Sequence, residues 1–371
     1  VLEIIKKIFG EDHTDYALTL HNLAGLYQSM GNYTQAVPLV KESLAIRKKA
    51  LGEAHPDYAA SLIILASLYY YLDNYTQAEP LLKEALAIWK KVLGEAHPDY
   101  ATSLNGLASL YEQIQNYPAA YPLLSQSLHI YQKIITHNFT WLSEKQRELY
   151  YKTMRGEFQH HHSFTLKAHK TLPQALSDDY NYQLFTKGLQ LATTQLMRSR
   201  IVASGDTLLL ADYENWLGQR RFLGKLYEKT IAQRESMGID IDSLEDAANR
   251  AEADLSRRSE VFAHATDTTR YTWQDVQQKL KANEAAVEIA RFNWFNKDWT
   301  DTVYYALMVV TPQTKEHPDV IWLKNGNDLE GKHFKAYSGA MQRGENDFDS
   351  YLQYWKPLDS LLQGANKVYL S

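Results

Sequence analysis

The residues with the most obvious chemical potential are three consecutive histidines, His160–His162. Imidazole is a common ligand of transition metals, so this run suggests a metal site. Consecutive positions on a helix point about 100° apart, however, and three adjacent rings cannot easily share one ion. A metal would need ligands from elsewhere in the chain. The sequence therefore favours a surface or packing cluster, and we predict no metal site and no cofactor.

The chain of 371 residues has 13 histidines and no cysteine. Disulfides, thiolate zinc sites and a cysteine nucleophile are therefore excluded within it. The sequence also lacks a glycine-rich phosphate loop, a His-Glu-x-x-His pattern and a Gly-x-Ser-x-Gly pattern. His264, His317 and His333 follow no catalytic motif. We predict no catalytic residue in this chain.

Composition excludes several classes of partner. Hydrophobic residues make up 45% and charged residues 22%, as in an ordinary globular protein. The formal charge is -5. The sequence contains no basic stripe of the kind that would indicate nucleic-acid binding. Apolar runs fall short of the roughly 18 residues that span a bilayer. Together with the absence of cysteine, this fits a cytoplasmic protein, which we expect. The oligomeric state does not follow from these features.

A repeat of 42 residues is the strongest pattern in the sequence. The segment LGEAHPDYA occurs at Leu51–Ala59 and again at Leu93–Ala101, and a weaker copy, FGEDHTDYA, occupies Phe9–Ala17. The first residues of these copies are 42 positions apart. A fixed period in this range is typical of a solenoid built from stacked pairs of helices.

Each repeat predicts two helices. The first carries the pattern Leu-Ala-x-Leu-Tyr, which begins at Leu23 and recurs in register. We expect Asn32, Asn74 and Asn116 to cap the second helices, which carry alanine at matching positions. Pro56 and Pro98 can occupy the first position of a helix. His55 and His97 recur with the period, so we interpret them as turn residues rather than ligands.

These repeats resemble the tetratricopeptide repeat of the longer kind found in kinesin light chains, over residues 1–134. The resemblance implies a superhelix whose first helices line a groove for a protein or peptide ligand. It implies groove positions at His21, Asn22, Gln28, Ser67, Tyr70, Tyr71, Asn105, Ser109 and Glu112. Tyr70 and Tyr71 stand out, because exposed aromatic residues often anchor partners.

Two observations keep that binding site open to another interpretation. Kinesin light chains place an asparagine before the Leu-Ala pair to hold the peptide backbone, and here only Asn22 matches. The equivalent residues are Ile64 and Gly106. The candidate residues could equally be solvated or could contact neighbouring repeats.

Residues 135–266 predict a helical linker. Ser143 is a candidate cap, as is Asp242 or Ser243 further along. One long amphipathic helix should end at Gly205. The segments Tyr182–Leu189 and Arg198–Asp206 resemble the helical segment that joins tetratricopeptide repeats to a CHAT domain.

Residues 267–371 predict an α/β segment. Strands are expected at 285–290, 302–310, 320–323 and from Lys367 onward. We expect a hairpin loop at 293–300 and helices near 329–343 and 348–362. Trp273–Val276 before the first strand, and Tyr354–Leu358 before the last, resemble the beginning of a caspase-like CHAT domain.

The fold class that results is mainly α, a tetratricopeptide-repeat superhelix and helical linker followed by a partial caspase-like domain. In CHAT proteins the catalytic histidine and cysteine would come after Ser371, so we expect a truncated and by itself inactive chain. The resemblance implies the sensing and coupling part of a CHAT cysteine peptidase, in prokaryotic defence or signalling. The alternative is a non-catalytic scaffold for protein–protein interaction.

Overall fold

The computed structural model describes residues 2–139, 142–227, 229, 231–260 and 271–371. His264 and the predicted boundary between residues 266 and 267 lie outside these residues. The chain divides into two units. Unit 1 comprises Val1–Gln132 and Phe295–Trp299, and unit 2 comprises Lys133–Trp294 and Thr300–Ser371.

The repeats of unit 1 are helix pairs, as predicted. Pro56 and Pro98 begin the first helices of their repeats, which confirms their expected position. The helices are α1 (Leu2–Phe9), α2 (Thr14–Ser29), α3 (Tyr33–Leu51), α4 (Pro56–Tyr71), α5 (Tyr75–Val92), α6 (Pro98–Gln113) and α7 (Tyr117–Phe139).

Histidines cap the first helices of the repeats. The ring Nδ1 of His55 accepts a hydrogen bond from Asp57 N at 3.1 Å, and His97 Nδ1 accepts from Asp99 N at 3.2 Å. The interpretation of the repeated histidines as turn residues was correct, but their capping contact was not foreseen. A ring nitrogen here satisfies an amide that the helix leaves without a partner.

The predicted asparagine caps are only partly correct. Asn32 and Asn74 stand at the N-cap positions of α3 and α5 but make no side-chain capping bond. Their ψ angles are 55° and 65°, whereas the histidine caps are extended, so their side chains leave the N-terminus in another direction. Asn116 does accept from Ala119 N, at 3.3 Å.

Unit 2 begins with helices that confirm most of the expected ends. Ser143 forms a capping box with Gln146, and Gly205, at φ 67°, ends α9. Asp240 caps α12 by accepting from Ser243 N at 3.1 Å, so the expected caps Asp242 and Ser243 were wrong. The helices are α8 (Glu144–Ala168), α9 (Gln174–Ser204), α10 (Thr207–Tyr227), α11 (Ile231–Ser236), α12 (Ile241–Glu260) and α13 (Trp273–Lys279). The described helices include none that is long and apolar enough to cross a membrane.

A small mixed sheet follows, in the order β3-β2-β1-β4. Strand β2 is antiparallel to β3, with Met308 opposite Val320. Strand β1 is parallel to β4, with Ala286 opposite Tyr369. The strands are β1 (Glu284–Asn296), β2 (Asp298–Val310), β3 (Asp319–Leu323) and β4 (Lys367–Leu370).

The hairpin between β1 and β2 is tighter than predicted. Only Lys297, at φ 68°, separates the two strands, whereas the sequence suggested a loop over 293–300. The polar residues of this segment obscured the continuing strand pattern, because β-propensity depends strongly on context.

The helical segments after β3 are less regular than predicted. The first begins before residue 329, and the second leaves α-helical geometry after three residues and ends its last helical turn at Leu358. The segments are α14 (Gly326–Asp328), a π-helical turn (Leu329–His333), α15 (Phe334–Arg343), α16 (Phe348–Ser350), a second π-helical turn (Tyr351–Trp355) and a 3₁₀ turn (Lys356–Leu358).

Strand β2 buries both of its faces in unit 2. Met308 and Val310 pack in one cluster with Phe292, Trp273 and other residues. The alternate residues of the strand, including Leu307 and Val309, pack in a second cluster with Leu358. Successive side chains of a strand point to opposite faces, so one continuous apolar run supplies both clusters.

Candidate functional site

Small residues set the spacing of the helices in unit 1. Ala24, Ala66 and Ala108 in the first helices are at most 1% exposed. Alanines at equivalent positions of the second helices are buried as well. Because alanine lacks a long side chain, neighbouring helices approach closely and hold the remaining positions of each first helix in a fixed orientation.

The structure brings some of the predicted groove residues together. Gln28 Nε2 donates to Ser67 Oγ at 2.8 Å, and this bond joins the first helices of two consecutive repeats. His21 lies elsewhere, with its Nδ1 3.4 Å from a guanidinium nitrogen of Arg47. Asn22 is exposed, Asn105 and Ser109 are half-buried, and Glu112 is buried. Their role in a peptide groove stays a prediction.

Tyr70 departs from expectation, because it is only 9% exposed rather than an exposed anchor. Its ring packs edge-on against Tyr71 at 5.5 Å and against Tyr75 at 5.8 Å. Tyr71, which is half-buried, stacks on Tyr33 at 4.8 Å. These four rings, here called the tyrosine cluster, connect the end of α4 with the starts of α3 and α5, the second helices of two consecutive repeats.

An acidic residue lies at the edge of the tyrosine cluster. Asp73 follows α4 in the left-handed backbone region, at φ 58°. Its Oδ1 accepts a hydrogen bond from Tyr75 Oη at 2.6 Å. The carboxylate is thus held beside the aromatic rings. We call Tyr70, Tyr71 and Asp73 the second-repeat site.

Lys297 occupies the second-repeat site. Its Nζ donates to Asp73 Oδ1 at 2.7 Å and to the main-chain oxygen of Tyr71 at 3.1 Å. The same ammonium lies 5.8 Å from the centre of the Tyr70 ring. A carboxylate, a carbonyl oxygen and an aromatic face are three features that together favour an ammonium group.

The electrostatics of the site follow from these contacts. Hydrogen bonds from Lys297 and Tyr75 lower the pKa of the Asp73 carboxyl, so it is ionised at neutral pH. Partial burial, together with the hydrogen bond to Asp73, raises the pKa of Tyr75 to about 12. Burial also raises the pKa of Tyr70. The tyrosines therefore stay neutral, and the site carries a single negative charge.

The family model of the tetratricopeptide repeat matches residues 1–49, 15–87 and 57–133. Residues 1–133 are tetratricopeptide repeats. Tetratricopeptide repeats generally bind protein partners, which favours a role in protein–protein contacts for this part of the chain. A search of curated proteins finds no match to the chain.

Solved structures that match the chain include BtubC (BKLC) from P. vanneervenii, at 22% identity and a TM-score of 0.32. That likeness covers 44% of this chain and 63% of BtubC, so the chain spans less than two thirds of it. A putative kinesin light chain from Podosopora anserina, with nearly identical TPR-like repeats, matches at 22% identity and a TM-score of 0.32. A second structure, of a substituted form of that protein, matches at 21% and 0.35. Each of these two matches covers 66% of this chain. The first covers 99% of the matched chain and the second covers 98%.

The tetratricopeptide period shows how the second-repeat site could have been found. The turn after the first helix has the same left-handed backbone in three repeats, at Gly31 (φ 75°), Asp73 (φ 58°) and Gln115 (φ 58°). Only the second repeat places an acid there, beside two successive tyrosines. Tyr70 and Tyr71 stand out in the sequence, whereas Asp73 and Lys297 do not, because their contact joins residues far apart in the sequence.

The histidine run of unit 2 is buried rather than exposed. His161 Nδ1 and His162 Nδ1 each lie 2.8 Å from Asp179 Oδ1. Among the residues that the structure describes, no group of histidines and acids is arranged to hold a metal ion. The burial of the run favours the packing alternative over the surface one, although the contribution of Asp179 was not anticipated.

Asp179 stays ionised in this buried position. Burial by itself would raise the pKa of its carboxyl, but the charge of His162 and hydrogen bonds with both imidazoles outweigh that effect and lower it. A buried carboxylate is tolerated only when such partners compensate its lost hydration. The two rings are consequently fixed in orientation.

Proposed function

We propose that the repeats bind a protein partner at the second-repeat site and recognise a lysine at the tip of a tight turn. The observation that carries this proposal is the placement of Lys297 against Tyr70, Tyr71 and Asp73. A turn presents its tip residue outward, which places the Lys297 ammonium against the Asp73 carboxylate.

The chemistry of the site favours lysine over other residues. One carboxylate oxygen and one carbonyl oxygen converge on a single ammonium, at 2.7 and 3.1 Å. Arginine would spread its donors over a wide planar fork, whereas lysine is a compact point charge. The Tyr70 ring adds cation–π attraction, worth about 0.5–1 kcal/mol at an exposed site.

The occupant in this structure belongs to the chain itself. The turn Phe295–Trp299 forms part of unit 1, and Lys297 is one-quarter exposed at its side chain. A partner that presents the same feature would therefore compete with this turn. Competition sets a threshold, because the partner must bind more tightly than the internal occupant.

A peptide experiment tests this proposal on the full chain. The variant Lys297→Gln vacates the site, and the probe is a cyclic peptide of residues 294–300. We expect the peptide to bind this variant about tenfold more tightly than the same peptide with glutamine in place of lysine. The measurement is isothermal titration calorimetry at low salt.

Two further variants separate the site from general electrostatics. Adding Asp73→Asn to Lys297→Gln should remove the preference for lysine. Adding Glu95→Gln, an exposed acid in the third repeat, should leave it unchanged. Equal binding of the lysine and glutamine peptides, or an equal effect of the two acid substitutions, would reject the proposal.

We also propose a more specific function, in which this chain is the sensing and coupling part of a CHAT cysteine peptidase. Its support is the resemblance of Trp273–Val276 and Tyr354–Leu358 to CHAT sequences, together with a mixed sheet in which β4 is parallel to β1. No residue of this chain is proposed as catalytic. A scaffold without catalysis is the competing function.

The longest natural reading frame that contains this chain decides between these two. Cleavage of a protein library that depends on one cysteine, and is lost when that cysteine becomes alanine, would support the peptidase. A reading frame without cysteine, or one whose product cuts nothing with any binding partner of the repeats, would leave the scaffold alone.

A further inference from the structure

Unit 2 contains a cavity of about 320 Å³ between α8, α9 and β1. Its volume is within the range of small-molecule sites, about 300–1,000 Å³. The cavity belongs to one unit and shares no residue with the second-repeat site. It is a separate feature with its own chemistry.

Cationic side chains surround this cavity. Arg155 of α8, Lys187 of α9 and Arg291 of β1 all line it, and none of its described lining residues is acidic. Carboxylates outside the cavity pair with two of the cations, since Lys187 Nζ lies 3.0 Å from Glu288 and Arg291 Nη2 lies 3.0 Å from Glu330.

Arg155 differs from the other two cations. Arg155 is exposed. When the side-chain amide of Gln159 is oriented with its oxygen toward the guanidinium, that oxygen accepts a hydrogen bond from Arg155 Nε at 3.0 Å. Among the described residues its hydrogen-bond partner is thus neutral. Because this partner is neutral, it does not compete with an incoming oxyanion. The guanidinium can bind such an oxyanion through two parallel hydrogen bonds.

His162 contributes a buried polar group to the same cavity. His162 lines the cavity, and its Nδ1 lies 2.8 Å from Asp179 Oδ1. The side chain is 7% exposed, and Asp179 fixes its orientation. A ring held in this way can interact with a ligand without losing rotamer entropy on binding.

The lining also contains aromatic residues. Phe158 and Tyr182 are buried and meet edge-on, with ring centres 6.1 Å apart. An apolar wall and a cationic rim together match a molecule that has a flat apolar body and one charged end.

We propose that this cavity binds a small aromatic oxyanion, with its phosphate or carboxylate at Arg155 and His162 and its ring against Phe158 and Tyr182. The phosphate and the carboxylate share the chemistry that the rim recognises. Neither substrate turnover nor a metal is required by this arrangement.

Calorimetry on the full chain tests the site with phenyl phosphate, benzoate and phenol. We expect at least one of the two anions to bind, and phenol to bind about tenfold more weakly or not at all. The anion that binds more tightly identifies the preferred oxyanion. Failure of both anions, or equal binding of phenol, would overturn the proposal.

Two variants place the binding in the cavity. Arg155→Gln should weaken anion binding by about tenfold, whereas Lys152→Gln, an exposed cation on the same helix, should have no effect. The anion should also shift the imidazole NMR signals of His162 but not those of His55 in unit 1. Equal effects of the two variants, or an unshifted His162, would refute the site.

Discussion

Some of the buried polar side chains of the two units are satisfied in different ways. In unit 1, Ser43 Oγ donates to Ala17 O at 2.7 Å and Ser127 Oγ donates to Ala101 O at 2.9 Å, each across 26 residues. In unit 2, Arg147 Nη2 donates to Glu252 Oε1 at 2.7 Å across 105 residues. The two serine contacts of unit 1 lie two repeat periods apart in the sequence, whereas the arginine–glutamate contact of unit 2 occurs once.

The difference follows from architecture. A repeat protein is nearly one-dimensional, so each repeat contacts mainly its neighbours and a local change stays local. In unit 2, helices far apart in the sequence share one buried ion pair. We therefore expect substitutions of buried polar groups to have larger and more widespread effects in unit 2 than in unit 1.

The largest effect is expected from Arg147→Met. Both members of the pair are at most 1% exposed at their side chains. Burial lowers the pKa of Arg147 and raises that of Glu252, and their mutual attraction opposes both changes. Removal of the arginine leaves the buried carboxylate without its opposite charge, while the Glu144 amide still donates to it at 2.9 Å. This loss should cost about 3–5 kcal/mol in the free energy of unfolding. Urea denaturation measures this loss.

Two controls qualify that result. Arg220→Met removes an arginine from an exposed pair with Glu144 and should change stability far less. The double variant Arg147→Met, Glu252→Met should recover most of the loss, because two apolar residues can replace a buried ion pair. A loss below about 1 kcal/mol for the single variant would contradict the comparison.

The second effect concerns Asp179 and depends on pH. Its pKa in the folded protein is lowered, so it lies below the unfolded value of about 3.9. The carboxylate then contributes stability that is present above about pH 4 and is lost as the pH falls through the folded-state pKa. We expect Asp179→Asn to cost about 2–3 kcal/mol at neutral pH.

Denaturation at several pH values checks the sign of this effect. The difference in unfolding free energy between the native protein and Asp179→Asn should shrink in acid, below about pH 4. Asp246→Asn, at an exposed position of α12, should show no such trend. A difference that grows in acid would show that the carboxylate is not the stabilising form.

The repeats could be predicted from sequence because their information is local and repeated. The period placed Pro56 and Pro98 at helix starts, and both positions proved correct. The turn after the first helix recurs at the same register, so its backbone is readable as well. What the period could not supply is the contact of Asp73 with Lys297, because residue 297 lies outside the repeats.

Unit 2 was less predictable because its decisive contacts are distant in sequence. Helix ends with local caps, such as Ser143 and Gly205, were found correctly. The partners Glu252 and Asp179 carried no pattern that linked them to Arg147 or the histidines. In unit 1 the same limit hid Lys297, which contacts Asp73 across 224 residues.

The third effect tests whether damage in unit 1 stays local. Ala66 is fully buried, and leucine there would overpack the contact between helices, at about 2 kcal/mol. Hydrogen exchange should show lost protection in α4 and its neighbours but not in α8 or α9. Ala87→Leu, at an exposed position of α5, is the matched control. Loss of protection throughout unit 2 would refute the one-dimensional description.

The smallest effect concerns the serine that the period repeats. Equivalent positions in the three second helices hold Ser43, Ala85 and Ser127, and all are at most 1% exposed. Ser43→Ala and Ser127→Ala should each cost about 1 kcal/mol, because each removes one buried hydrogen bond. Their equality is the important result, since a true repeat makes the two sites energetically alike.

Ala85→Ser provides the reciprocal measurement. The equivalent acceptor would be the carbonyl oxygen of Ala59, 26 positions earlier, which is also buried. If the site is equivalent, the new hydroxyl forms the same bond and the variant is neutral or slightly stabilised. A loss of about 1–3 kcal/mol, as for a buried hydroxyl without a partner, would show that the second repeat departs from the period in its core as well as at Asp73.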